Sequence, residues 1–214
     1  MNAEAPFAKH VETVKKEPST ERGRRTRASI VDAAADLMYA QGVAATSIDQ
    51  VIAKSGTGKS QMYHYFASKD DLVQAVVDRQ IGRALGGQPR LFAIESWEDL
   101  VAWAEDLVAF HQGSSGPLPC PIGTLAAEID RDDTLRPAIA RAFEQWLEPL
   151  EVALTKLRVN GEIPGDSQSR RLALRVMVVL QGGMLMARTL DDPTILADSV
   201  DALLAEIHGA RCAT

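Results

Sequence analysis

The stretch from Ser47 to Lys69, SIDQVIAKSGTGKSQMYHYFASK, sets two short helical patterns on either side of a glycine-containing break. Ile48, Val51 and Ile52 recur at helical spacing before the break, and Met62 and Phe66 lie four apart after it. Glycine in the SGTG run, residues 55–58, relieves backbone strain in a turn between helices. A helix pair joined this way, with exposed polar residues on its second member, can set a recognition helix in the major groove of DNA. The same residues admit another reading. Gly58, Lys59 and Ser60 match the end of a phosphate-binding loop, G-x-x-x-x-G-K-[ST]. That loop requires glycine at position 53, where this chain has Ala53, and it is entered from a strand, whereas a helical pattern precedes it here. No later strand ends in an acidic residue that could hold magnesium. The nucleotide reading fails in both spacing and context.

Helical periodicity continues on both sides, so the expected fold is all-α with about nine helices. The first spans Thr26 to Gln41, with Ile30, Ala33, Ala34, Leu37 and Met38 inward and Gly42 as its stop. Thr46 or Ser47 caps the second, Ile48 to Lys54, and Gly58 to Tyr65 forms the third. Ser68 caps a fourth that runs to about Leu85. Later segments follow at Trp97–Gln112, Ile122–Ile129, Leu135–Val159, from a Ser167 cap to Leu190, and from Pro193 onward. The domain reading is a disordered arm over 1–20, a helix-turn-helix domain over 21–68, a linking helix over 69–87, and a second helical domain over 88–214, which the family resemblance set out below makes a ligand-binding and dimerisation domain.

Charge separates the two halves. Residues 1–87 carry 12 Lys/Arg against 10 Asp/Glu, and residues 88–214 carry 11 against 19, so only the first part suits a polyanion. Four arginines in RGRRTR, residues 22–27, Arg24 and Arg25 among them, read either as a solvated tail or as an arm on DNA. Two distant cysteines without metal-ligand spacing imply no disulfide framework and fit a cytoplasmic location. No uninterrupted apolar run reaches the ~18 residues of a spanning helix, and the first ten residues lack the apolar block of a signal peptide.

The ungapped run from Thr46 to Val73, TSIDQVIAKSGTGKSQMYHYFASKDDLV, resembles the TetR family of transcriptional regulators. Its most specific part is Tyr63-His64-Tyr65-Phe66 followed by Ser68, Lys69 and Leu72. Upstream, IVDAAADLMYAQG, residues 30–42, is similar to that family's first helix. The resemblance implies a DNA-contacting set. Thr46 and Ser47 would bind phosphate at the start of the second helix, and Lys59, Ser60 and Gln61 would open the recognition helix. Gln61 carries the donor and acceptor that read an adenine edge. Tyr63 and His64 would bind phosphates, and Lys69 would clamp the backbone. Tyr65 and Phe66 read as core. The chain departs from the family pattern at Gly58, where serine is usual, at Ser60, where glycine is usual, and at Ile52, where alanine is usual.

The resemblance further implies a double-stranded, palindromic operator, a homodimer, and a small apolar effector held in the second half, with release from DNA as the response. The candidate lining is Trp103, Leu107, Phe110, His111, Cys120, Phe143, Trp146, Met177, Gln181 and Met184; most of these taken singly read better as plain core, and the placing of all three tryptophans in this half is what favours a cavity. Leu172 to Met186 is apolar nearly all round, so one face is free for a second copy, and Gly182-Gly183 within it points to a close approach by a helix or a ligand. Cys120, between two prolines at the mouth of a short helix, reads as a small semi-buried residue or as a sensing thiol. No catalytic constellation and no metal-ligand set stands out, so the chain reads as a DNA-binding regulator with no cofactor, no membrane segment and no enzymatic activity.

Overall fold

The computed structural model describes residues 18–113, 120–127, 135–165 and 168–212. Over these residues the chain forms nine α-helices and one 3-10 turn, with no strand. Helices α1 (Glu21–Gln41), α2 (Ile48–Ser55) and α3 (Lys59–Tyr65) make a head, and α4 (Lys69–Gly86) leads out of it. The body is α5 (Trp97–His111), α6 (Pro121–Ala126), α7 (Arg136–Val159), α8 (Ser169–Leu190) and α9 (Thr194–Cys212), entered through the 3-10 turn Pro89–Ala93.

Capping side chains decide where several helices begin. Thr20 Oγ1 accepts from Gly23 N–H at 3.1 Å, Ser68 Oγ from Asp71 N–H at 3.1 Å, and Ser96 Oγ from Asp99 N–H at 3.2 Å. The Thr20 cap corrects the expected start of α1. Glu21 follows in the first turn and pairs with Arg24 at 3.0 Å and Arg25 at 3.6 Å, so the arginine run is helical and not an arm. Residues 1–17 of the expected arm, the Ser167 cap and the end of the segment expected to run to Ile129 lie outside the described residues. The last helix opens one residue after Pro193, where the Asp192 carboxylate accepts from Thr194 N–H at 2.9 Å and from its hydroxyl at 2.8 Å.

A single buried cluster runs through head and body, and α4 is what joins them. Leu72, Val73, Val76, Val77 and Ile81 of α4 are all at most 2% exposed, packed in the cluster that holds Ile30, Met38 and Met62 of the head and Leu150, Leu154 and Leu180 of the body. In the body α8 lies against α7 and α9. A Cβ on Gly183 would fall 2.8 Å from Leu196 Cδ1 and 3.3 Å from Leu196 Cα, so this glycine lets α9 approach, whereas Gly182 faces open space. By length and hydropathy α8 would pass for a membrane span, and 44% of its most apolar window is buried inside the protein.

Candidate nucleic-acid interface

The head presents α3 on a rigid base. Met62 and Phe66 are 0% and 2% exposed, and four residues apart they put one side of α3 into the core. Lys59, Ser60, Gln61, Tyr63 and His64 remain exposed on the rest of its circumference. Seven residues at about 1.5 Å each make a helix about 10 Å long, and its diameter of about 10–12 Å with side chains is what a major groove about 12 Å wide admits. The turn before it depends on Gly56, whose φ of 67° lies in the left-handed region that favours glycine. Ser29 Oγ donates to Ser55 O at 3.2 Å and ties that turn to α1.

Capping differs between the two helices of the motif. At α2 the box is reciprocal: Ser47 Oγ accepts from Gln50 N–H at 3.2 Å, and Gln50 Oε1 accepts from Ser47 N–H at 2.7 Å. At α3 the N-cap is Gly58, which has no side chain to offer, so only the return half exists: Gln61 Oε1 accepts from Gly58 N–H at 3.1 Å. The oxygen expected to read a base is engaged at home.

Of the two hydroxyls expected on phosphate, one is misplaced. Thr46 is 2% exposed; its hydroxyl donates to Gly42 O at 2.8 Å and its N–H donates to Val43 O at 3.2 Å, so it builds the turn and has no donor left for DNA. Ser47 is exposed, and its hydroxyl proton is not needed by the cap. Lys69 Nζ donates to Ala44 O at 3.4 Å, which sets its ammonium beside the turn leading into α2. Arg24 donates to the Pro18 and Ser19 carbonyls as well as to Glu21, so it serves the start of α1.

Charged contacts fix the head to α4. Asp32 of α1 accepts from both Arg79 and Arg83 of α4, the latter at 3.1 Å, and Asp36 of α1 pairs with Lys54 of α2 at 3.1 Å. Farther along, Arg141 of α7 donates to Gln74 of α4.

The residues expected around an effector are only partly brought together. Trp103, Leu107, Trp146, Met177 and Met184 are at most 5% exposed in the body core, with Phe143 and Gln181 half-buried. Gln181 Nε2 lies 3.7 Å from Met177 Sδ, and its Oε1 sits over Gly123, whose N–H donates to Cys120 Sγ at 3.4 Å. Cys120 is 4% exposed, which fits the plainer reading of a packed side chain. Trp103 Nε1 donates to Gln88 Oε1 at 3.1 Å, whereas Trp146 Nε1 is buried without a hydrogen-bond partner. Phe110 corrects the expectation: at 68% exposed it points out of the body, one residue from His111, which is 7% exposed. Among the described residues no group of His, Cys, Asp or Glu is placed to hold a metal ion.

Residues 30–76 match the family described as bacterial regulatory proteins, tetR family, and residues 96–202 match the C-terminal domain described as transcriptional regulator LmrA/YxaF-like. The chain belongs to the TetR family. The LmrA regulator of Bacillus subtilis is 28% identical over 180 residues, 80% of this chain and 90% of its own length. The TtgR regulator of Pseudomonas putida is 36% identical over 201 residues, 86% of this chain and 87% of its own length. A solved TetR-family regulator from Cytophaga hutchinsonii shares the fold with a TM-score of 0.76 at 22% identity, covering 91% of this chain and 98% of that one. The chain is therefore a DNA-binding transcriptional regulator and not an enzyme. Within this TetR-family head, sequence reasoning passed over Gln50 and the Asp32–Arg79–Arg83 cluster. The S-x-x-Q spacing of Ser47 and Gln50 is a readable capping box. The ionic cluster joins residues 47 and 51 positions apart and leaves no local signature.

Proposed function

We propose that this regulator is a homodimeric repressor that leaves a palindromic operator when a small apolar molecule enters its second half. The observation that carries this reading is α4, a single helix whose side chains lie in the core shared by head and body. A shift of α4 driven from the body then turns the head. On this reading residues 21–68 are the DNA-binding domain, 69–87 the linking helix and 88–214 the effector and dimerisation domain. Ser47, Lys59, Ser60, Tyr63, His64 and Lys69 hold the phosphate backbone, and Gln61 reads a base.

The second copy sits on α8. Five of the eleven large apolar side chains exposed among the described residues are on that helix: Leu174, Val178, Leu185, Met186 and Leu190. A patch of this kind marks an interaction surface, and a two-fold dimer covers it with itself. Paired recognition helices then meet half-sites about 34–36 Å apart. The effector lies among Trp103, Phe143, Trp146, Met177, Gln181 and Met184. The unpaired Trp146 Nε1 favours an apolar molecule carrying one hydrogen-bond acceptor, since a buried donor without a partner costs about 1–3 kcal/mol. The effector must prefer the DNA-incompetent arrangement, and a coupling of about 1–3 kcal/mol gives a roughly 5–150-fold change in DNA affinity. A DNA-binding regulator with its operator on the chromosome works in the cytoplasm.

The test is fluorescence anisotropy on the palindromic DNA flanking the protein's own gene. Tyr63→Phe with Lys69→Ala should weaken binding and make the salt slope shallower by about one unit, the share of one phosphate contact. An unchanged slope removes Lys69 from the backbone, and unchanged affinity removes Tyr63 as well. A reporter driven by the same fragment should rise when the regulator is deleted; a fall would mark an activator.

A further inference from the structure

Head and body meet around an open cleft of about 500 Å³ that the effector reading does not use. Asp36 and Tyr39 of α1 and Lys54 of α2 line it from the head, Gln80 from α4, and Phe110 and His111 from the body. Three features point to an occupant. First, two aromatic side chains from different helices stand there with apolar surface in water, Phe110 at 68% and Tyr39 at 44% exposed. Second, His111 is 7% exposed and its Nδ1 lies 2.9 Å from Leu107 O. A carbonyl only accepts, so Nδ1 carries the proton and Nε2, on the ring edge turned away from that carbonyl, keeps its lone pair. No partner reaches Nε2 among the described residues. Burial lowers the His111 pKa, which keeps the imidazole neutral and Nε2 an acceptor. Third, the charges at the rim, Asp36 and Lys54, already pair at 3.1 Å, so the cleft does not call for an ion.

We propose that this cleft is a second ligand site, for a flat aromatic molecule bearing one O–H or N–H group, with its ring against Tyr39 and Phe110 and its donor on His111 Nε2. The volume accommodates a two-ring molecule, within the roughly 300–1,000 Å³ usual for small-molecule sites. An acceptor with no protein partner favours a molecule that brings a donor over a look-alike that lacks one. The walls belong to both sides of the joint, so the occupant touches head and body at once. This inference is independent of the interior effector site around Trp146.

The experiment is an NMR titration of the full chain with β-naphthol and with its methyl ether, which keeps the rings and lacks the donor. β-Naphthol should bind one per chain, at least about tenfold tighter than the ether. It should shift the Tyr39 and Phe110 backbone amides together and move the His111 Nε2 nitrogen resonance. Phe110→Ala, an exposed change that leaves the core intact, should weaken binding about tenfold, and His111→Phe should abolish the preference for the naphthol over the ether. Equal binding of the two probes overturns the proposal. So do shifts confined to the core around Trp146, or unchanged affinity in Phe110→Ala.

Discussion

At position 61 the side-chain oxygen that would accept from an adenine amino group already accepts from Gly58 N–H. Reading a base and capping α3 therefore compete for one atom. A serine at position 58 would supply the missing cap, and the only atom near a Cβ there is Gln61 Oε1 at 3.9 Å, so the side chain fits. Gly58→Ser should raise stability by a few tenths of a kcal/mol, read as a higher urea midpoint, because the serine oxygen would accept from Gln61 N–H and complete the reciprocal box seen at α2. Lower stability would mean that the turn does not tolerate the change. His111 gives a pH prediction. Its pKa is lowered chiefly by burial, with the bond to Leu107 O opposing, so below its usual value near 6.5 the unfolded chain binds more protons than the folded one. Stability is full above that pH and falls as pH drops toward the folded value. Asp36 and Lys54, paired with each other, are the charged side chains that face the same cleft. The melting temperature should fall between pH 7.5 and pH 5, and His111→Gln should flatten part of that fall. At this scale the sequence was legible where pattern reports packing: Met62 and Phe66 are inward and Lys59 to Gln61 outward. Thr46 was not legible, because periodicity does not reveal that a hydroxyl donates to the carbonyl four residues back.

Among the elements, α4 is where the argument about coupling rests. Asp32 receives two arginines from it, and Arg79 is the more enclosed, its side chain 27% exposed with Nε buried and unpaired. Exposed pairs contribute only about 0–1 kcal/mol, so Asp32→Ala should cost little in melting temperature. It should loosen the head on α4 and blunt the release of DNA by effector while the affinity of the effector itself stays unchanged, a split that titrations with and without DNA measure. The two adjacent glycines of α8 make a matched pair. Gly183→Ala meets Leu196 backbone and should destabilise by about 1–3 kcal/mol through overpacking. Gly182→Ala meets nothing and should stabilise by up to about 1 kcal/mol through helix propensity. Thermal melts of both variants check the phase of the helix. The Gly-Gly pair announced a close approach in the sequence, but which glycine faces α9 depends on the rotation of α8, which is set by long-range packing. The start of α1 was misjudged for a related reason: four arginines look like a solvated arm until Glu21 and the Thr20 cap are seen to hold them in a helix.

For the molecule as a whole, the order and type of helices were readable from apolar spacing, because each helix buries one face. The joint between head and body was not, since it is made of residues far apart in sequence. The uncovered side of α8 is the feature with the widest reach. Val178 is 70% and Leu185 65% exposed, so paired substitutions Val178→Asp and Leu185→Asp leave the core untouched. On the two-copy reading they should yield a folded monomer by analytical ultracentrifugation and a large loss of operator affinity; a dimer that persists would place the contact elsewhere. If that face is completed by another molecule of the same kind, the regulator is also a gauge of its own dosage. Where pairing is weak, the competent species grows with the square of the amount synthesised, so halving expression quarters the supply. A gene under such control responds steeply to how many copies a cell inherits at division, before any signal molecule arrives.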